Sequence, residues 1–212
     1  LIKEINLSYD TNSKVREIYE KSGLKEKQVK LLLKDSYLYS EGNGKDNFIY
    51  DSHLSFKERP RKTEFVNISN YGFRRNSKAY PKDKDFFPSE KDNSLKKINK
   101  KSKRIYFFGG STTFGYGVTD EQTIPANLEK QYFGDLKVFN FGRGFYYSEQ
   151  ENVFLERMMK YGAIKPDLVI FLDGVNERGD ISVFQEKMAY NFDQSNQPSF
   201  NWSINEKLKP LI

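Results

Sequence analysis

Apolar residues follow two different periods along this chain, separated by a long stretch with none. In residues 12–40, Val15, Ile18 and Tyr19 share one helical face. Gly23 interrupts, and Val29, Leu31, Leu32 and Leu33 form a second apolar group before Tyr37. This pattern predicts two short amphipathic helices with a glycine between them. Glu41–Asn47 reads as a turn, and Phe48-Ile49-Tyr50 as an edge strand. Residues 63–69 alternate apolar and polar, as a half-buried strand does, and a turn follows over 70–74. Residues 76–104 carry lysine, proline, serine and aspartate without a sustained period and read as an exposed connection.

Beyond residue 104 one unit repeats. Arg104–Phe108 is a short aromatic and β-branched run that stops at Gly109-Gly110-Ser111. A helix start follows at Thr123, with a threonine cap and Pro125 in the first turn. Lys137–Phe141 is a second strand, closed by Gly142-Arg143-Gly144. Ser148–Tyr161 reads as a helix with Ser148 as cap, Val153, Phe154, Met158 and Tyr161 on its buried face, and Gly162 at its end. Leu168–Leu172 is a third strand without a polar break, read as fully buried, and it ends at Asp173-Gly174-Val175-Asn176-Glu177. Strands alternating with helices imply right-handed crossovers and a parallel sheet flanked by helices, an α/β fold. The chain divides into a helical N-terminal extension (1–42), a lead-in with edge strands and a basic linker (43–103), and an α/β core (104–212). The extension reads as packing on the core, in preference to binding a partner helix or continuing a membrane anchor.

Composition narrows the function classes. The 212 residues contain no cysteine, which removes disulfides, thiolate metal sites and a cysteine nucleophile. The net charge of +6 is unevenly spread: residues 1–104 hold 25 basic and 15 acidic side chains, the remainder 10 and 14. The basic half could attract an anionic polymer, and a solvated lysine-rich surface is the simpler reading. The run Lys96–Arg104 lacks interleaved stacking aromatics, so nucleic acid is not expected as a partner. Gly115-Tyr116-Gly117 has neither the spacing nor the lysine of a nucleotide loop. No apolar run is long enough to cross a bilayer. The chain begins at Leu1, and a signal or membrane anchor upstream is expected, in an exported or envelope-anchored protein rather than a cytoplasmic one.

The candidate chemistry lies at the three strand ends. Ser111 stands where an open α/β sheet places its ligands. Neighbouring glycines let bare backbone N–H groups approach its hydroxyl. Gly142, Gly144 and Asn176 fall at the next two strand ends and could supply backbone and side-chain amide donors to a developing oxyanion. The only histidine, His53, precedes the serine, has no Asp-x-x-His spacing, and reads as an ordinary surface or packing residue.

Over about residues 64–177 the chain resembles the SGNH (GDSL-like) hydrolase family. The blocks are Val66–Arg74, similar to an N-x-x-G-F-R lead-in, then Gly109–Gly117, Asn140–Gly144 and Gly174–Glu177. The resemblance implies a flavodoxin-like three-layer α/β/α sandwich. It implies Ser111 as nucleophile and one oxyanion donor, Gly144 (less favourably Gly142) as a second N–H donor, and Asn176 as the amide donor. The third block commonly ends Asn-Asp, whereas this chain has Asn176-Glu177, a change that bears on local loop bonding. The implied activity is a serine ester hydrolase or O-acyltransferase acting on small acyl esters, with a cell-surface glycan among the candidate substrates and no cofactor or metal. The family's Asp-x-x-His block is absent: no histidine follows Ser111, and 36 residues remain after Asn176. The expectation is therefore that these residues belong to a longer protein. Residues 178–212 read as a variable insertion, and its Phe192, Phe200 and Trp202 read as satellite core in preference to lining a substrate cleft. The alternative is an SGNH-like binding or assembly module without a working base.

Overall fold

The structure, a computed structural model, describes residues 12–37, 48–51, 53–69, 72–76, 103–132, 136–160, 165–174 and 176–178. Most of the 76–104 connection, its basic run up to residue 102, and the aromatic residues expected to pack in the tail all lie outside the described residues.

Among the described residues the centre is a parallel sheet of β5 (Lys103–Gly109), β6 (Leu136–Asn140) and β7 (Leu168–Leu172), in the order β6-β5-β7. Ile105 is in register with Val138 on one side and with Leu168 on the other. The three strands predicted from the apolar runs are thus the three strands of this sheet, with the first in the middle. Four shorter strands precede it: β1 (Phe48–Asp51), β2 (Ser55–Glu58), β3 (Arg61–Lys62) and β4 (Asn67–Ile68). β1 and β2 form an antiparallel hairpin, and β3 pairs with β4. Arg74 bridges to Ile68 and to Asn140, which joins the lead-in to the β6 side of the sheet. The alternation over 63–69 therefore yields only a two-residue strand. The Thr63 hydroxyl accepts the Val66 N–H (3.0 Å) and donates to the Val66 carbonyl (2.7 Å), and this local turn competes with a ladder.

Alternate residues of β5 meet different helices. Ile105 and Phe107 cluster with Val138, and Leu128 of α4 (Ile124–Gln131) packs against them. Phe108 meets Phe154 of α5 (Ser148–Lys160) edge-on at 5.9 Å, while Tyr106 and Phe108 both touch Phe141. Phe73 adds to this aromatic cluster through Phe141 (4.6 Å) and Phe154 (5.4 Å). α5 buries Gln150, Glu151, Phe154 and Met158. Val153, expected on that face, is exposed, because it lies about 100° around the helix from Phe154, away from the i, i+4, i+8 line. β7 also departs from expectation: Leu168 is 50% exposed and Phe171 and Leu172 are nearly as open. Among the described residues β7 pairs only with β5.

The leading helices are α1 (Ser13–Lys21) and α2 (Glu26–Tyr37). Asn12 caps α1 by accepting the N–H groups of Lys14 and Val15, and Gly23 turns the chain between the helices. Val29 and Leu33 of α2 pack with Val15, Tyr19 and Leu24. Leu32 enters one cluster with Val66, Ile68 and Phe114. The Tyr19 hydroxyl donates to the Gly117 carbonyl (3.0 Å), so the helical pair also ties down the loop beyond Ser111.

Candidate functional site

Ser111 opens a single helical turn, α3 (Ser111–Phe114), immediately after β5. Two glycines allow that turn to sit where it does. A Cβ on Gly142 would stand 2.4 Å from the Phe114 nitrogen, and one on Gly110 would stand 2.4 Å from Asn176 Nδ2. The first close approach seats α3 on the loop after β6; the second brings Asn176 beside the serine. At Gly142 the neighbour is backbone and leaves no room for a side chain; at Gly110 it is the Asn176 amide, which a side chain would displace.

The far end of α3 is held by Arg74, which has no exposed surface. Its Nε donates to Asp120 Oδ1 (3.1 Å), Nη1 to the carbonyls of Phe114 (3.1 Å) and Gly115, and Nη2 to that of Val118. Asp120 in turn accepts from the backbone N–H (3.0 Å) and the side-chain amide (2.7 Å) of Asn67. The lead-in block thus acts as a clamp: Asn67 and Arg74, from its two ends, fix the loop that follows the serine. The contacts that make the clamp span 40 to 53 residues of chain.

The serine lies in a cleft of about 190 Å³ lined by Gly110, Ser111, Thr112, Tyr146, Leu172, Asp173, Gly174, Asn176 and Glu177. Ser111 is exposed there. Asn176 starts a short 3-10 turn (Asn176–Arg178), and its Nδ2 donates to the Tyr146 carbonyl, which fixes the amide plane and leaves one N–H of the group for another acceptor. Glu177 accepts the N–H of Ser148 at the start of α5 (3.0 Å) and that of Gly174 (2.7 Å). Although partial burial works the other way, these backbone bonds hold its carboxyl below the ordinary value. Glu177 therefore bonds the loop that carries Asn176 to the start of α5.

Gly144 is placed differently. It is not part of the cleft lining; its N–H donates to buried Glu58 Oε1 (3.3 Å), and its α-carbon faces the Tyr116 hydroxyl. Burial pushes the Glu58 carboxyl up, against the opposing pull of Arg61 and the Tyr116 hydroxyl. The Gly142 N–H is taken by Asn140 Oδ1 (3.0 Å). The structure thus brings Ser111 and Asn176 together and turns both glycine N–H groups to other acceptors.

Two acids near the cleft were missed by the sequence reading. Asp173 is exposed and lines the cleft. Glu151, on the first turn of α5, has no exposed surface, and its carboxyl lies beside that of Asp173. Burial first, then a side-chain hydrogen bond with Asp173 and the charges of Asp173 and Glu177, push it up to about 9. A glutamate on the Gln150–Phe154–Met158 face was the available signal.

His53 sits in the exposed turn between β1 and β2, with its N–H on Asp51 Oδ1 (3.0 Å), and it does not line the cleft. Among the described residues no group of three or more His, Asp or Glu side chains is arranged to hold a metal, and no helix is long and apolar enough to cross a membrane. A scan of protein-family models and a search of curated proteins return no match to this chain.

Proposed function

We propose that this chain is an SGNH-type serine ester hydrolase or O-acyltransferase working through an acyl-enzyme on Ser111. One observation carries the reading. An exposed serine at the mouth of a parallel strand shares a cleft with an oriented amide, Asn176, that arrives from the neighbouring strand end. In the proposed step Ser111 Oγ attacks the carbonyl carbon of an ester and gives its proton to a base. The Ser111 N–H and Asn176 Nδ2 donate to the oxyanion. The tetrahedral species collapses, the alcohol leaves with a proton, and water or a sugar hydroxyl then takes the acyl group. The role that the resemblance gives Gly144 requires its N–H to leave Glu58. The base is the role that the described residues leave open. The finer architecture, a three-layer α/β/α sandwich of the flavodoxin-like type, belongs to the same proposal. It is supported by the way α4 and α5 contact β5 residues of opposite parity.

The test is acylation by a small activated acetyl ester, followed by intact mass. The expected outcome is one added acetyl group on the native protein and none on Ser111→Ala, with unchanged thermal midpoint. A folded protein that takes up no acyl group refutes the proposal. The absence of histidine from the cleft lining favours a second reading, a glycan-binding or assembly module. It requires Ser111→Ala to keep full ligand affinity while no ester is turned over.

A further inference from the structure

The loop between β6 and α5 holds a residue in an uncommon backbone state. Phe145 has φ +64°, in the left-handed region that favours glycine. Such a conformation persists where the surroundings over-determine it. Here the surroundings act on the next residue, Tyr146, whose side chain is buried. Its hydroxyl accepts from Arg143 Nη1 (2.8 Å) and donates to the Phe56 carbonyl of β2, 90 residues earlier in the chain. Burial pushes the pKa of that hydroxyl up to about 12, so it keeps the proton it donates. The ring stands edge-on to Phe56 (5.3 Å) and lies under the Arg143 guanidinium (5.1 Å). The Tyr146 N–H donates to the Arg143 carbonyl (3.4 Å), and the Tyr146 carbonyl is the acceptor of Asn176 Nδ2. Through its ring and hydroxyl, Tyr146 therefore ties the β1–β2 hairpin to the cleft that it lines.

We propose that Tyr146 is the positioning residue for the oxyanion amide: its hydroxyl, anchored on the Phe56 carbonyl, holds the backbone carbonyl that aims Asn176, and the β1–β2 hairpin is thereby a working part of the site. The inference rests on the esterase reading for the word oxyanion. An amide donor stabilises a developing charge best when it is aimed beforehand, since reorientation during the reaction costs energy. A tether at the far end of a rigid ring, with a second bond at its own N–H, restricts the peptide that follows Tyr146. Without the tether, the left-handed Phe145 is free to relax and to carry the Tyr146 carbonyl with it.

The test compares Tyr146→Phe, which keeps the ring and loses the hydroxyl, with Gln150→Met. Gln150 makes a comparable buried bond to the same hairpin, Nε2 to the Leu54 carbonyl (3.0 Å), and is the control for a purely structural tie. The first readout needs no chemistry: hydrogen exchange of side-chain amides, followed by NMR. In Tyr146→Phe the Asn176 Nδ2 hydrogens are expected to exchange about five times faster, the worth of one net hydrogen bond. Those of Asn67, bonded to Asp120 (2.7 Å), keep their rate, and Gln150→Met changes neither. The second readout is Ser111 acylation by the activated acetyl ester. Tyr146→Phe is expected to lower the limiting rate about tenfold at unchanged half-saturation, and to have no further effect in Asn176→Ala. Phe56→Leu keeps the backbone bond and loosens only the ring contact. It is expected to move both readouts the same way by less, and it decides the matter if Tyr146→Phe does not fold. Unchanged exchange at Asn176, equal acceleration at Asn67, an unchanged acylation rate, or a full further loss in Asn176→Ala each overturn the positioning role and leave the esterase intact. Selective acceleration at Asn176 in a folded protein that no ester acylates upholds the positioning of the amide and refutes the esterase.

Discussion

At the scale of single residues, the least comfortable group in the described structure is Glu151. Its carboxyl is buried on the helix face that otherwise holds Phe154 and Met158, and its acidic neighbours Asp173 and Glu177 add to the cost of ionising it. The folded value of about 9 stands above the ordinary 4.5. Between those two values the folded chain keeps a proton that the unfolded chain has released. Raising the pH through that window therefore favours unfolding. Glu151→Gln is expected to flatten the fall in thermal midpoint between pH 5 and pH 9 and to leave the variant more stable than the parent at the alkaline end. Thermal melts across that range check it, and parallel profiles for the two proteins would show that Glu151 ionises normally. Glu58 is a second buried acid, but Tyr116 and Gly144 both donate to it. Glu58→Gln keeps an oxygen for those donors, so the expected cost is small, within about 1 kcal/mol by the usual net worth of one hydrogen bond.

At the scale of elements, the site depends on the seat of one four-residue helix. α3 has too few residues to be stable by itself. It is held by backbone contact with Gly142 at one side and by Arg74 at its end. Gly142→Ala puts a methyl group against the Phe114 nitrogen and must push the turn away. The expected loss is about 1–3 kcal/mol, the usual range for overpacking, together with loss of Ser111 acylation. Arg74→Met removes one side of a buried ion pair and leaves Asp120 with only its Asn67 donors. The expected cost is about 3–5 kcal/mol, read by denaturant unfolding. A loss below about 1 kcal/mol would mean that the loop finds other partners. The strands of this unit were legible because apolar runs bounded by glycine are local signals. The clamp was not, because Asn67, Arg74 and Asp120 meet across 46 to 53 residues with no periodic trace. The turn at Thr63–Val66 misled for a related reason, since alternation looks the same whether the backbone bonds a neighbour strand or its own side chain.

At the scale of the whole molecule, the sheet order puts the first core strand in the middle and leaves β7 with one partner among the described residues. The uninterrupted run Leu168–Leu172 correctly announced a strand, but hydrophobicity alone overstated its burial. The site was legible to the same degree: glycine-rich strand ends pointed to Ser111 and Asn176. Which way each N–H of the glycines turns depends on Glu58 and Asn140, and no spacing rule carries that. The side of β7 away from β5, unpaired among the described residues, has a testable consequence. An apolar edge strand with free backbone groups is a template for pairing with another chain, and natural edges are often protected by lysine. Leu168 is half exposed at the start of the strand, away from the cleft. Leu168→Lys should therefore change stability by no more than about 0.5 kcal/mol, as surface substitutions do, while lowering light scattering during mild heating. Reduced scattering with an unchanged melting point would identify this edge as the association surface of the free chain. A melting point lowered by many degrees would mean that Leu168 is covered in the folded protein, and that the sheet continues past β7.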